Sequence, residues 1–368
     1  MTTFNKKMSE IDYRIQPTET LIIKAFAIIA MLVHHLFWLH PEFGPILCYL
    51  ANAGKVCITI FVFLSGYGMA MTFPKTAGER RSDCKIIFFF LGKRYSKFFL
   101  NYWIVFFASV SVGSLCFGRT LEIAYGENAN LMNAFVKDML GQYGFNSYNI
   151  TWWFNELILS LWLLFPIFYW LIKNKIASAS ILLFLLINPG KILSPLELFA
   201  NGMSLFTFPF CVGIFFAQHY MCVNRMLSSI SPKWIPYVSF LLATIVFFVR
   251  GTELVPWLPK YLLDMFVTLL VATSVVSFVR VTGCKLQFLQ FVGKHSMNIY
   301  LLHTFIFGYF FSDFIYGLKN PLLIFAAVFI ISLFLSIVIE IVKNKTGFYK
   351  LQSKIVGIIS KQIPKMSY

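Results

Sequence analysis

Leu21–His40 reads LIIKAFAIIAMLVHHLFWLH, and apart from Lys24, His34, His35 and the closing His40 every residue in it is apolar. A helix needs about 20 such residues to cross the hydrocarbon core of a bilayer. A soluble helix of that length would need a polar face, and this one has none. The stretch therefore predicts a transmembrane helix near 20–39. Runs of the same kind recur near 55–73, 98–117, 152–172, 176–188, 203–221, 235–250, 261–280, 297–315 and 321–342. The fifth is short. The joins carry helix breakers such as Pro41, Pro74, Pro189, Pro232 and Pro256. The expected fold is an all-α polytopic membrane helix bundle of about ten transmembrane helices. It forms a single domain over 1–368 with short tails at 1–19 and 343–368.

Composition agrees. The 368 residues are 58% hydrophobic and 12% charged, with mean hydropathy +0.74 and 43 phenylalanines, whereas soluble domains are near half apolar and a quarter charged. No internal repeat or low-complexity linker interrupts the runs, and the first run lacks the small-residue cleavage site of a signal peptide. The net charge of +16 would hint at nucleic acid in a soluble protein, but here lysines and arginines alternate between loops. With the N-terminus placed in the cytoplasm, 23 of them fall in inside segments and 6 in outside ones, namely Arg119, Lys137, Lys191, Arg250, Lys260 and Lys319. By the positive-inside rule this predicts an even number of spans, both termini cytoplasmic, and a lipid bilayer rather than nucleic acid as the partner. Removing the short fifth span would erase the bias. The seven cysteines form no Cys-x-x-Cys pair and most lie in apolar runs, so no metal site is expected. In the long outer loop, 118–151, Leu131, Met132, Phe135, Val136, Met139 and Leu140 share one helical face, as in a helix lying on the membrane surface.

Polar residues inside spans are costly and each needs an explanation. Lys24 and His35 are eleven positions apart, which on a helix is three turns plus about 20°, so they share a face about 16 Å apart along the axis. A lone Lys24 is equally well explained as a lysine snorkelling to the interface. The doubled His34-His35 is harder to explain as packing alone. Glu156 and Asp264 lie just inside the ends of their spans at a depth like that of His35, and either carboxylate could orient a histidine ring. Ser65, in Ser65-Gly66-Tyr67-Gly68, and Tyr300 and His303 of the ninth span are placed in the opposite, inner half, where small-residue packing and interhelical hydrogen bonds are the plain alternatives. Two polar levels result. The outer holds His35, Glu156 and Asp264; the inner holds Lys24, Ser65 and His303, above basic loops that include Arg94. Such a column suits a long anionic ligand entering from the cytoplasm.

The order of segments resembles the membrane acyltransferase-3 family, whose members acylate bacterial cell-surface glycans. Lys24 through His34-His35 is similar to that family's first helix, where a basic residue, usually Arg, stands eleven before a histidine. Ile60-Phe61-Val62-Phe63-Leu64-Ser65-Gly66 resembles its second-helix Phe-Phe-x-x-Ser-Gly segment, and Lys93-Arg94-Tyr95 its basic entry to the third, although the usual proline after it is missing. Trp153-Phe154-Asn155-Glu156 with Leu164-Phe165-Pro166, Phe208-Pro209-Phe210-Cys211-Val212-Gly213 and Gly293 through His303 resemble segments of the fourth, sixth and ninth helices. The resemblance implies a cytoplasmic acyl-CoA donor, acetyl-CoA by default, as co-substrate with no bound cofactor. It implies a glycan hydroxyl as acceptor, an essential His35 and a location in the cell membrane. The expected site has His35 and Glu156 as catalytic residues, Lys24, Arg94, Ser65 and His303 as donor-binding residues, and His34, Asp264 and Tyr300 in support, with no metal. Other readings remain at this point: a transporter or flippase for a lipid-linked sugar, which should show inverted repeats and broken midplane helices, and a structural partner of a polysaccharide assembly complex. The oligomeric state is left open.

Overall fold

The computed structural model describes residues 12–77, 84–127, 129–142, 147–173, 178–179, 181–183, 203–228, 233–252 and 254–361. Every regular element among them is helical. The helices used below are α1 (Pro17–Phe37), α2 (Pro45–Gly54), α3 (Val56–Ala77), α4 (Cys84–Cys116), α5 (Leu131–Met139), α6 (Trp153–Leu171), α7 (Thr207–Gln218), α8 (Ile235–Thr252), α9 (Lys260–Thr282), α10 (Gln287–Lys294), α11 (Ser296–Thr304), α12 (Pro321–Lys345) and α13 (Phe348–Lys361).

The all-α membrane fold is as the apolar runs predict. Among the described residues seven segments are long and apolar enough to cross a membrane: Pro17–Phe37, Pro45–Phe73, Cys84–Cys116, Ile150–Leu171, Ile235–Thr252, Lys260–Thr282 and Pro321–Lys345. α7 is a shorter apolar helix, and of the run at 176–188 only residues 178–179 and 181–183 are among those described. Two runs differ from expectation. The third helix begins at Cys84, well before 98, because Ile86 to Leu91 continue its apolar pattern. The ninth run is not one helix over 297–315. It is α11, preceded by α10 and followed by a π-helical stretch at Phe305–Phe310 and a helix at Ser312–Gly317. Wide turns of the π type tend to occur where a helix is bent to place a functional group.

The chain divides into two compact units. One comprises Met1–Ala70, Phe168–Pro189 and Leu205–Ser296; the other comprises Met71–Ile167, Gly190–Ser204 and Met297–Tyr368. In the first unit, Gly66 of α3 and Gly213 of α7 bring two backbones together. A methyl at Gly66 would collide with the Phe210 carbonyl, and one at Gly213 with the Phe63 carbonyl. Helices in a bilayer gain little from hydrophobic exclusion and depend on this kind of close approach. In the second unit the core is aromatic, built from Tyr102, Phe106, Tyr125, Tyr148, Trp152 and Phe305, with Tyr102 and Trp152 meeting edge to face at 5.4 Å.

Candidate active site

The first unit is organised around α1. The helix starts cleanly: Pro17 occupies its first turn, and Gln16 and Glu19 cap each other, with the Gln16 N–H donating to Glu19 Oε2 at 2.8 Å. No proline or π-turn interrupts it, so Lys24 and His35 lie on one continuous helix and their eleven-residue spacing does put them on one face. Both are half-buried.

The helix is tied at both ends within its own unit. Near its start, buried Glu19 pairs with Arg280 in the last turn of α9, Nη2 to Oε1 3.1 Å, and the Ile15 N–H just before it donates to the Tyr67 hydroxyl at 3.0 Å. Near its end, His34 Nδ1 lies 2.8 Å from the Ala51 carbonyl of α2. There α1 and α2 are in backbone contact, since a methyl at Gly54 would collide with the Ala30 carbonyl. α2 is held in turn by α8: Asn52 Nδ2 donates to the Gly251 carbonyl at 3.0 Å, and Arg250 Nη1 donates to Asn52 Oδ1 at 3.1 Å. Arg250 Nε donates to Asp264 Oδ1 of α9 at 2.7 Å, both groups being buried. A buried carboxylate and a buried guanidinium each require such a partner.

Two expectations change here. Arg250, counted among outer-loop charges, is a buried residue of α8. The cation on Asp264 Oδ1 is that arginine and not a histidine. Of the two histidines, His34 is 9% exposed and bonded to α2, while His35 projects about 100° away around α1. Ser65 sits half-buried on α3, one residue before the tight contact at Gly66.

The second unit holds the other candidates. Glu156 is half-buried in the first turn of α6, just after Trp152 and Trp153. The Trp152 indole N–H donates to the Leu301 carbonyl at 3.2 Å, the Tyr300 hydroxyl donates to the Thr151 carbonyl at 2.9 Å, and Thr151 and Thr304 hydroxyls are 2.9 Å apart. His303 is fully buried, with Nδ1 2.7 Å from the Tyr300 carbonyl and Nε2 3.3 Å from the Thr304 hydroxyl. These bonds place Tyr300, His303 and Thr304 level with Thr151 and Trp152 at the start of α6, the end that carries Glu156. The expected separation of His303 from Glu156 into two levels is thus corrected. The helical path begins at Gln287, not 297, so His303 lies further along it than the apolar run implied. Arg94 of α4 stacks its guanidinium over the Trp162 ring of α6, 4.9 Å from the centroid, and its buried Nε has no hydrogen-bond acceptor among the described residues. The adjacent Tyr95 hydroxyl donates to the Leu159 carbonyl at 2.6 Å.

Sequence reasoning missed Asp138. It is the one acidic residue of α5 and is 3% exposed. Its carboxylate accepts from the Tyr148 N–H at 2.6 Å, the Ser147 hydroxyl at 2.7 Å and the Tyr125 hydroxyl at 3.1 Å. The Tyr102 hydroxyl of α4 donates to its carbonyl at 2.7 Å. Burial pushes this carboxyl above its ordinary range, and the three donors pull it back only in part. The signal was present as a lone carboxylate amid an apolar helical pattern. Asn149, which with Thr151 forms a glycosylation-like tripeptide, is fully buried and accepts from the Thr151 N–H at 3.0 Å and hydroxyl at 2.8 Å, a local turn.

A helical integral membrane protein with histidines, a lysine and a carboxylate set into its spanning helices is the class these observations define. The acyltransferase-3 family, described as an acyltransferase domain, matches residues 22–341, nearly the whole chain, and the chain belongs to it. It is a membrane acyltransferase. No curated protein and no solved structure matches it.

Proposed function

We propose that this acyltransferase moves an acyl group, acetyl by default, from acyl-CoA to a hydroxyl of a cell-surface or lipid-linked polysaccharide. In the same reading it lies in the cell membrane with about ten spans and both termini in the cytoplasm. The observation that carries the proposal is the unbroken α1, which holds Lys24 and His35 on one face at the family's spacing. No metal or bound cofactor is invoked.

An alcohol attacks a thioester poorly because its proton must leave. An unprotonated His35 imidazole takes that proton as the hydroxyl oxygen bonds to the thioester carbonyl carbon. The tetrahedral intermediate then collapses, the C–S bond breaks, and the imidazolium returns the proton to the departing CoA sulfur. The competing route passes through an acyl-imidazole: a ring nitrogen attacks first, CoA leaves, and the alcohol displaces the histidine. Glu156 is the proposed second catalytic residue. Lys24 and Arg94 are assigned to the donor's phosphates, Arg94 offering a planar fork and Lys24 a point charge. Ser65 and His303 are proposed to line the donor's path, and His34, Asp264 and Tyr300 to support it.

Membrane vesicles carrying His35→Ala are expected to lose transfer from labelled acetyl-CoA by about 10²-fold or more. Undiminished transfer by that variant would sink the mechanism. Lys24→Ala should raise the apparent KM for the donor more than it lowers kcat, and an unchanged KM removes its assigned role. Acyl groups released from surface polysaccharide, compared with and without the protein, identify the group and acceptor.

A further inference from the structure

The last spanning helix, α12, and the C-terminal helix α13 present a surface that the acyl-transfer chemistry does not use. α12 ends at Lys345, and Gly347, at φ +72, reverses the chain so that α13 starts at Phe348. Chain connectivity therefore places α13 at the membrane boundary, since only Thr346 and Gly347 separate it from a spanning helix. It is fastened there. The Tyr349 hydroxyl donates to Glu340, which also accepts from Lys343 Nζ at 2.9 Å and Asn298 Nδ2 at 3.1 Å. Lys343 lies over the Phe348 ring at 5.8 Å. Ile359 reaches Gly92 of α4, within 3.8 Å of where a methyl there would sit.

Around α13 the residues sort by angle. Phe348, Ile355 and Ile359 fall on one side, and these are buried or half-buried. Next to them stand Leu351 and Ile358, seven apart on one stripe and 53% and 54% exposed. Next again stand Lys350 and Lys354, one turn apart and exposed. A protein-facing side, then an exposed apolar stripe, then a lysine stripe is the order a helix needs to lie in the interface, with its aliphatic side chains among acyl chains and its ammonium groups among headgroups. Neither α13 nor α4, on which it packs, contains an acidic residue, while α4 adds exposed Lys85 and Lys97.

We propose that α13 is an interfacial helix that binds anionic lipid headgroups through Lys350 and Lys354, with Leu351 and Ile358 inserted beneath them. The interleaved apolar stripe distinguishes a lipid surface from a soluble anion, which would gain nothing from Leu351 and Ile358. A protein partner would need carboxylates opposite the same lysines.

The test is hydrogen exchange on the full chain in nanodiscs of phosphatidylglycerol and, separately, of phosphatidylcholine. Amides of residues 348–361 are expected to exchange several-fold more slowly in the anionic discs. Lys350→Glu with Lys354→Glu should abolish that difference, and Leu351→Ser with Ile358→Ser should raise exchange in both lipids, with α12 amides unchanged throughout. Lipid retained on the purified protein should fall about tenfold or more in the lysine variant. Equal exchange in the two lipids, or a difference that survives the double charge reversal, would overturn the proposal. So would protection reproduced by free CoA or inorganic phosphate in neutral discs, or protection that rises with protein concentration, which would mean that a second copy covers the helix.

Discussion

The two units each bury a carboxylate, and they solve the problem in opposite ways. In the first, Asp264 is neutralised by Arg250, and the pair sits at the end of a helical hairpin, with Asn52 joining the arginine to α2 and so to His34 of α1. In the second, Asp138 has no cation paired with it among the described residues. Its oxygens accept from two hydroxyls and a backbone N–H, and with the Tyr102 hydroxyl on its carbonyl it ties α5 to the aromatic core. A charge buried within a spanning segment is costly unless an opposite charge pairs with it. At Asp138 neutral donors hold the carboxyl instead, and burial favours its protonated form. The first arrangement fixes the helix that bears Lys24 and His35; the second fixes a loop.

The contrast predicts a ranking. Removing one partner of the buried pair, by Arg250→Ala or Asp264→Ala, should cost about 3–5 kcal/mol, because the survivor is left unpaired. The double change Arg250→Met with Asp264→Leu should recover most of it. Unfolding in micelles checks this, and single variants within about 1 kcal/mol of wild type would break the contrast between the units. Asp138→Ala should cost about 1–3 kcal/mol, read as faster hydrogen exchange over α5, and Asp138→Asn less, since its amide oxygen still accepts.

The Asp138 carboxyl should also give its loop a pH dependence. A carboxyl whose folded value lies above its unfolded one, as for Asp138, binds its proton more tightly when folded. Its contribution is therefore complete below the unfolded value of about 4 and is lost as pH rises through the folded one. Exchange over α5 should speed up as pH rises through that window, after correction for intrinsic rates, and Asp138→Asn should flatten the dependence. A loop that instead tightens with rising pH would show that the ionised form is the one held. The smallest effect is expected at His34→Ala, about 1 kcal/mol from one lost hydrogen bond to a helix carbonyl. Its transfer rate should stay far closer to wild type than that of His35→Ala.

Much of this was legible in the sequence. The apolar runs named the spanning helices, and the eleven-residue spacing of Lys24 and His35 needed only an unbroken helix to hold. The segments around Ser65-Gly66 and Phe210–Gly213, quoted separately as family-like, are the two sides of one helix contact. What was not legible depended on partners distant in the chain. Nothing local marks Arg250 as a core residue, because a basic residue at the end of an apolar run is usually a loop charge. Nothing in the run 297–315 shows that the helical path begins at Gln287, since α10 is amphipathic and breaks the apolar pattern.

The sequence by itself determined the helical class, the position of most spanning segments and the shared face of Lys24 and His35, because hydropathy and helical period are properties of neighbouring residues. Tertiary structure alone decided which of two adjacent histidines meets the Ala51 carbonyl, which cation faces Asp264 and at what height His303 lies. Each of those depends on a hydrogen bond between residues far apart in sequence, and local periodicity carries no information about such partners.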